Sequence, residues 1–153
     1  MLLLDNSSPT ALVVDTKAPP SSARLHQALV EAWPRLEGRV ACTARALHDV
    51  ELLSTDVVVS IHACGALTDA VIDRAVAVRA RAAVLPCCHD HAASDAGDLL
   101  GWVDGAAAID IVRALRLRQQ GYRIWTQTIP AGITPKNRLL MGAPAGHASV
   151  NGV

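Results

Sequence analysis

Three observations in the sequence predict an α/β fold, a mostly parallel sheet with helices on both faces. Short apolar runs alternate with segments whose apolar residues recur at helical spacing, the pattern of strand-helix-strand units. The clearest run, Asp56-Val57-Val58-Val59-Ser60-Ile61, lacks polar alternation, as a parallel strand buried on both faces requires. Two polar clusters, His62-Ala63-Cys64-Gly65-Ala66-Leu67-Thr68-Asp69 and Pro86-Cys87-Cys88-His89-Asp90-His91, stand where apolar runs stop. In such a sheet the carboxyl ends of adjacent strands form the ligand crevice, so both clusters are expected at one site.

Ala11-Leu12-Val13-Val14-Asp15 reads as a first strand ending in an acid. Pro19 and Pro20 cannot continue it, and Ser21 or Ser22 is suited to cap a helix beginning near Ala23. Leu25, Ala28, Leu29 and Ala32 keep helical spacing until Pro34 stops it. Arg39 to Ala44 is a weaker strand, and Leu47 to Ser54 a connection with room for one helical turn. Asp56 to Ile61 belongs at the sheet centre.

Leu67 to Arg79 reads as a helix capped by Thr68 or Asp69, with Val71, Ile72, Ala75 and Val78 inward. Ala82 to Leu85 completes a right-handed crossover. Gly97 to Gly105 is a loop, and Ala106 to Gln120 a helix with Ile109, Val112 and Leu115 inward. Gly121 ends it. Tyr122 to Ile129 and Leu139 to Gly142 form a closing antiparallel hairpin at the sheet edge, with the turn-rich segment Pro130 to Arg138 between them. Residues 1–142 are read as one domain and 143–153 as a flexible tail.

The 153 residues are 51% hydrophobic, enough for one core. Aromatic residues make up 3%, with no phenylalanine, so alanine, valine, leucine and isoleucine must fill that core. Lysine and arginine number 14, as do aspartate and glutamate, so no net field draws the chain to nucleic acid or an anionic membrane. Met1 to Leu4 is too short an apolar stretch for a signal peptide or membrane span. A cytoplasmic location is expected, with Cys42, Cys64, Cys87 and Cys88 reduced.

The strand-end residues carry the candidate chemistry. His62 is suited to be a general base or to hold the next loop, and Gly65 to permit a tight turn with close backbone approach. Thr68 and Asp69 read first as a helix cap. Cys87, Cys88, His89 and His91 are zinc-ligand types, with His62 and Cys64 able to complete a set. Adjacent cysteines seldom reach one tetrahedral ion and no spaced pair occurs, so no metal ligand is assigned. His62-Ala63-Cys64 with Pro86-Cys87 lacks the glutamate and second spaced cysteine of a nucleobase deaminase. Lys136 and Arg138, in Thr134-Pro135-Lys136-Asn137-Arg138, could hold a phosphate or carboxylate, or form a solvated turn. Arg113, Arg116 and Arg118 read as an exposed helix face.

With Cys64-Gly65-Ala66-Leu67-Thr68-Asp69 followed one crossover later by Cys87-Cys88-His89, the chain resembles class I methyltransferases that use S-adenosylmethionine. Within them it is similar to a group with CGxxTD and CCH motifs that includes the tRNA acceptor-stem 2′-O-methyltransferase. The resemblance covers Ala11 to Gly142 and implies a Rossmann-like fold. It implies Asp15 on the cofactor ribose, with His62, Ala63 and Gly65 also cofactor-binding. It further implies Asp69, Cys87, Cys88, His89, Lys136 and Asn137 on the acceptor side, and His62, Cys64 and His89 as catalytic candidates.

Two departures stand out. The family's first strand and glycine-rich loop have no counterpart, since only Met1 to Thr10 precede the first strand and no glycine occurs before Gly38. The expectation is a truncated form, with Met1 to Leu4 the remnant of a helix, or an abandoned cofactor site. Ala44-Arg45-Ala46 also stands where relatives carry an acid near the adenine, for which Asp49 could substitute. The expected activity is therefore methyl transfer to an unknown acceptor. The alternatives are a non-catalytic module, homodimeric through the truncated sheet, and a small zinc-binding domain. An RNA partner is implied by the resemblance alone.

Overall fold

A computed structural model describes residues 8–146, and the chain divides into two compact units at Glu51 and Leu52. In the first unit, β1 (Ala11–Asp15) pairs in parallel with β2 (Val40–Ala44), from Ala11 opposite Val40 to Asp15 opposite Ala44. Between them run α1 (Ser22–Ala32) and a 3-10 turn, Pro34–Leu36. Pro34 thus ends the α-helix and starts the tighter turn, where its missing N–H costs nothing. The serines do not cap α1 as expected: the Ser22 hydroxyl donates instead to the Pro19 carbonyl. A second 3-10 turn, Leu47–Asp49, supplies the single helical turn expected there.

The second unit contains β3 (Val57–Ile61), α2 (Ala66–Ala77), β4 (Arg81–Leu85), a 3-10 turn at Leu99–Gly101, α3 (Gly105–Gln119), β5 (Tyr122–Thr128) and β6 (Arg138–Pro144). Its sheet has the order β3-β4-β6-β5. The β3–β4 pair is parallel, whereas β6 is antiparallel to both β4 and β5. The architecture is mixed α/β, and this sheet is less parallel than the sequence suggested.

The sequence put β3 at the sheet centre, but among the described residues it has a neighbour on one side only. Val59 and Ile61 are 59% and 62% exposed. The inner strand is β4, flanked by β3 and β6, with Ala82, Val84 and Leu85 buried. Its short side chains let α2 approach, and Ala75, Ala80 and Ala82 form a core cluster with Val58 and Val78 packed against it. Tyr122, the chain's single tyrosine, is buried, and its hydroxyl reaches the Ala80 and Ala75 carbonyls at 2.9 and 3.3 Å. This ties the end of α2 to β5.

The closing hairpin is present, but β6 lies inside the sheet and β5 takes the edge. Gly142 makes this packing work: a Cβ there would sit 3.2 Å from the Tyr122 ring. β6 also runs through Pro144, two residues into the expected tail, and the Ala145 N–H donates to the Gly121 carbonyl. Residues 147–153 of that tail and the Met1 to Leu4 segment lie outside the described residues. Among the described residues, no helix is long and apolar enough to cross a membrane.

The inward face of α2 holds Val71, Ile72 and Ala75, as the spacing predicts. α3 differs. Ile109 is buried, but Leu115 is 49% exposed, and Arg113 is 2% exposed where a solvated arginine face was expected. Ile109, Arg113 and Leu117 share one buried stripe at four-residue steps.

Candidate functional site

The segment after β3 is shaped by Gly65, whose φ of +56° and ψ of −131° are accessible to glycine and costly for other residues. A Cβ on Gly65 would also lie 3.2 Å from the Asp90 Cβ. The Gly65 N–H donates to the Cys88 carbonyl at 2.9 Å, so the two motif loops are joined through their backbones. Helix α2 starts immediately afterwards, with Gly65 as its cap residue. Neither Thr68 nor Asp69 caps it, because both already lie inside the first turn. The buried Thr68 hydroxyl donates to the Ala63 carbonyl instead, fixing the loop that carries Cys64.

Asp69 receives a two-pronged contact from Arg113: Nε to Oδ1 at 3.0 Å and Nη2 to Oδ2 at 2.7 Å. The same Nη2 donates to the Gly65 carbonyl at 3.1 Å. Arg113 Nη1 lies 3.4 Å from Asp110 Oδ1, which is 2.8 Å from His89 Nε2, while Arg138 Nε donates to Asp110 Oδ2 at 2.8 Å. One charge network therefore links the two motifs to α3 and to the start of β6. Asp69, a candidate acceptor-side residue, is engaged in holding Arg113.

His89 is placed more favourably for chemistry. Asp110 faces two guanidinium groups, and His89 Nε2 is hydrogen-bonded to it at 2.8 Å. In the Nε2–H tautomer the ring's Nδ1 is the acceptor nitrogen. The His89 side chain is 4% exposed and lines a cavity of about 140 Å³ together with Pro86, Asp104, Lys136, Asn137 and Arg138. The structure thus brings together three residues assigned to the acceptor side: His89, Lys136 and Asn137. The Asn137 amide is occupied within the hairpin, donating from Nδ2 to the Ile129 carbonyl at 2.7 Å. Lys136 makes no ion pair among the described residues. Asp104 caps α3 by accepting from the Ala107 N–H at 3.0 Å, and that bond holds its carboxyl below the ordinary 3.8.

The thiols of Cys64, Cys87 and Cys88 converge. Cys64 Sγ is 3.5 Å from Cys87 Sγ, which is 3.7 Å from Cys88 Sγ. Cys87 is buried and the other two are exposed, and all four cysteines of the chain are free. Hydrogen bonding with Cys87 and then with Cys88, which favours the neutral thiol, pushes Cys64 from 9.0 up to about 11. In this cluster Cys64 is a protonated thiol at neutral pH, which removes the thiolate that a nucleophilic role needs.

His62 has a φ of 65°, a conformation that side-chain-bearing residues adopt at a cost. Its exposed imidazole has no hydrogen-bond partner among the described residues, so it does not hold the following loop. Its carbonyl accepts the Cys64 thiol at 3.5 Å. Ala63 is buried, its carbonyl taken by Thr68. Asp15 belongs to the first unit, at the end of β1. Its Oδ1 accepts from the Lys17 N–H at 3.2 Å and from the Thr16 hydroxyl at 3.4 Å.

Sequence reasoning missed Asp110 and the buried role of Arg113, and it read Arg138 as holding an anion of the acceptor or lying in a solvated turn, whereas its partner is the Asp110 carboxylate. The available signal was the stripe of Ile109, Arg113 and Leu117, in which one charged residue occupies an apolar helix face. A buried arginine requires carboxylate or carbonyl partners, and Asp69 and Asp110 are suitable acids on the two helices.

A mixed α/β architecture with the candidate side chains gathered after two parallel strands is compatible with a methyltransferase fold. A family model described as a methyltransferase domain matches residues 11–95, and the chain belongs to that family. The match takes in β1 through the Cys87-Cys88-His89 loop and stops before α3. No curated protein and no solved structure matches the chain.

Proposed function

We propose that this chain is an S-adenosylmethionine-dependent methyltransferase whose acceptor binds in the His89 cavity. The observation that carries this reading is the cavity itself, where an imidazole oriented by Asp110 meets a lysine with no ion-pair partner among the described residues. The cofactor supplies an electrophilic methyl group when bound. The Asp15 carboxylate, exposed at the end of β1, fits a ribose because a carboxylate accepts hydrogen bonds from both hydroxyls. Of the other residues assigned to the cofactor, the exposed His62 side chain, with no hydrogen-bond partner among the described residues, is the one open to a ligand.

On the acceptor side, His89 Nδ1 takes the acceptor's proton and Lys136 holds an anionic or carbonyl group of the acceptor. Asn137 keeps the hairpin wall in position. Methyl transfer depends chiefly on alignment of nucleophile and methyl group, so the Arg113 and Asp110 network contributes by fixing the loops.

Calorimetric titration with S-adenosylhomocysteine tests the cofactor half. Binding in the micromolar range, about −8 kcal/mol, that is lost in Asp15→Ala supports the reading, and no binding at millimolar ligand by folded protein overturns it. An acceptor screen that includes RNA then identifies the substrate, with His89→Gln expected to keep product binding and lose transfer.

A second reading, a binding or homodimerisation module, is favoured by β3. Among the described residues this apolar strand has an open edge, and Val59 and Ile61 are more than half exposed. Sedimentation equilibrium decides it: concentration-dependent mass supports the module, and a monomer at all concentrations rejects dimerisation.

A further inference from the structure

We propose that Cys64, Cys87 and Cys88 form a three-thiolate zinc site whose fourth coordination position is open to solvent. The sulfurs lie within 4.8 Å of one another, with two of the separations 3.5 and 3.7 Å. Zinc bonded to sulfur at about 2.3 Å in a tetrahedron needs its sulfurs about 3.8 Å apart. The separations match that geometry closely and are far longer than the roughly 2.05 Å of a disulfide bond.

Packing does not account for the cluster. A cysteine used as a small apolar residue is buried, yet Cys64 and Cys88 are exposed. Strand register accounts for it. β3 and β4 pair in parallel up to Ile61 opposite Leu85, and Cys64 and Cys88 lie three residues beyond those partners. The backbone bonds continue at one spacing, from His62 N–H to the Leu85 carbonyl and from Gly65 N–H to the Cys88 carbonyl. Cys64 and Cys88 therefore come level, and the chain after β4 is no longer a strand. Cys87 and Cys88 are thus free of the alternation that would send their side chains to opposite faces.

Three sulfur donors select a thiophilic ion of the zinc type over magnesium or calcium. Binding releases the thiol protons to solvent as three sulfur–metal bonds form. Among the described residues, no fourth histidine, cysteine or acid joins the group. Water completes the tetrahedron, the arrangement of a site that keeps one exchangeable position. This inference does not depend on methyl transfer.

The test is a titration of the full reduced, metal-free chain with Co²⁺ as an optical probe. One equivalent is expected to bind, with thiolate-to-cobalt charge-transfer and tetrahedral d–d absorption that Zn²⁺ abolishes. Cys64→Ser and Cys88→Ser, at exposed positions, each weaken binding at least about tenfold, while Cys42→Ser leaves it unchanged. Added 2-mercaptoethanol shifts the charge-transfer band by replacing the water. Absence of the absorption in folded protein, or its survival in Cys64→Ser, overturns the site. A band unmoved by 2-mercaptoethanol overturns the open position.

Discussion

Arg113→Met puts the charge network to a quantitative test. Arg113 is 2% exposed and bridges Asp69, Asp110 and the Gly65 carbonyl. Removing one partner of a buried ion pair costs about 3–5 kcal/mol. The lower end applies here, because Asp69 retains Arg116 at 3.4 Å and Asp110 retains His89 and Arg138. A loss of about 3 kcal/mol, at a urea dependence near 2 kcal/mol per molar, lowers the unfolding midpoint by about 1.5 M. Urea denaturation followed by circular dichroism measures it.

Arg116→Met is the control, since its side chain is 45% exposed and such pairs contribute about 0.2–1 kcal/mol. Changing Arg113 to Met together with Asp69→Leu removes both charges, so part of the loss is recovered. A loss below about 1 kcal/mol for Arg113→Met alone would refute the argument, because no buried, coupled arginine can be so weakly felt.

Gly65→Ala is expected to destabilise by about 1–3 kcal/mol, since it forces a side chain into a backbone conformation reserved for glycine. A thermal midpoint within a degree of the parent would contradict the close approach to Asp90. Thr68→Val leaves the buried Ala63 carbonyl unpaired, at about 1–3 kcal/mol, and urea denaturation reads it directly. Tyr122 is the chain's single tyrosine, so phenolate absorbance reports on it alone. Burial raises it above 10.0 despite the neighbouring Arg79, and the midpoint should return to about 10 on unfolding. Its stabilising contribution is full below about pH 10 and is lost as pH rises through the folded value. A folded midpoint at or below the unfolded one would exclude the buried setting.

Local signals made the elements legible. Pro34, Gly121 and the β-branched run at Val57 mark boundaries through backbone chemistry that operates within a few residues, and α2 keeps its predicted face of Val71, Ile72 and Ala75. Strand order was less legible. Nothing local to Leu139-Leu140-Met141-Gly142 says that this segment enters between β4 and β5. The decisive fact is that Gly142 leaves room for the ring of Tyr122, a contact between residues twenty positions apart. The same limit hid Arg113, whose partners Asp69 and Gly65 come from another helix and its entry turn. A chain read in order sees an arginine beside Arg116 and Arg118, and assigns all three to solvent.

The spacing between the two motifs carries site information that neither contains alone. Gly65 and Cys88 meet because β3 and β4 pair in one parallel register, and a one-residue slip would send each side chain to the opposite face. α2 packs Val71, Ile72 and Ala75 into the core, and Arg113 clamps Asp69 of that helix together with the Gly65 carbonyl at its entry turn. The glycine of the first motif is thus a register device as much as a turn residue. Its N–H donates to the Cys88 carbonyl of the second motif, its carbonyl accepts from the buried arginine, and its missing side chain makes room for Asp90. Cys64 and His89 inherit their positions from this joint, the one in the thiol cluster and the other beside the cavity. The proposed methyl transfer and the proposed metal site, distinct as chemistry, would therefore share one mechanical origin in the pairing of β3 with β4.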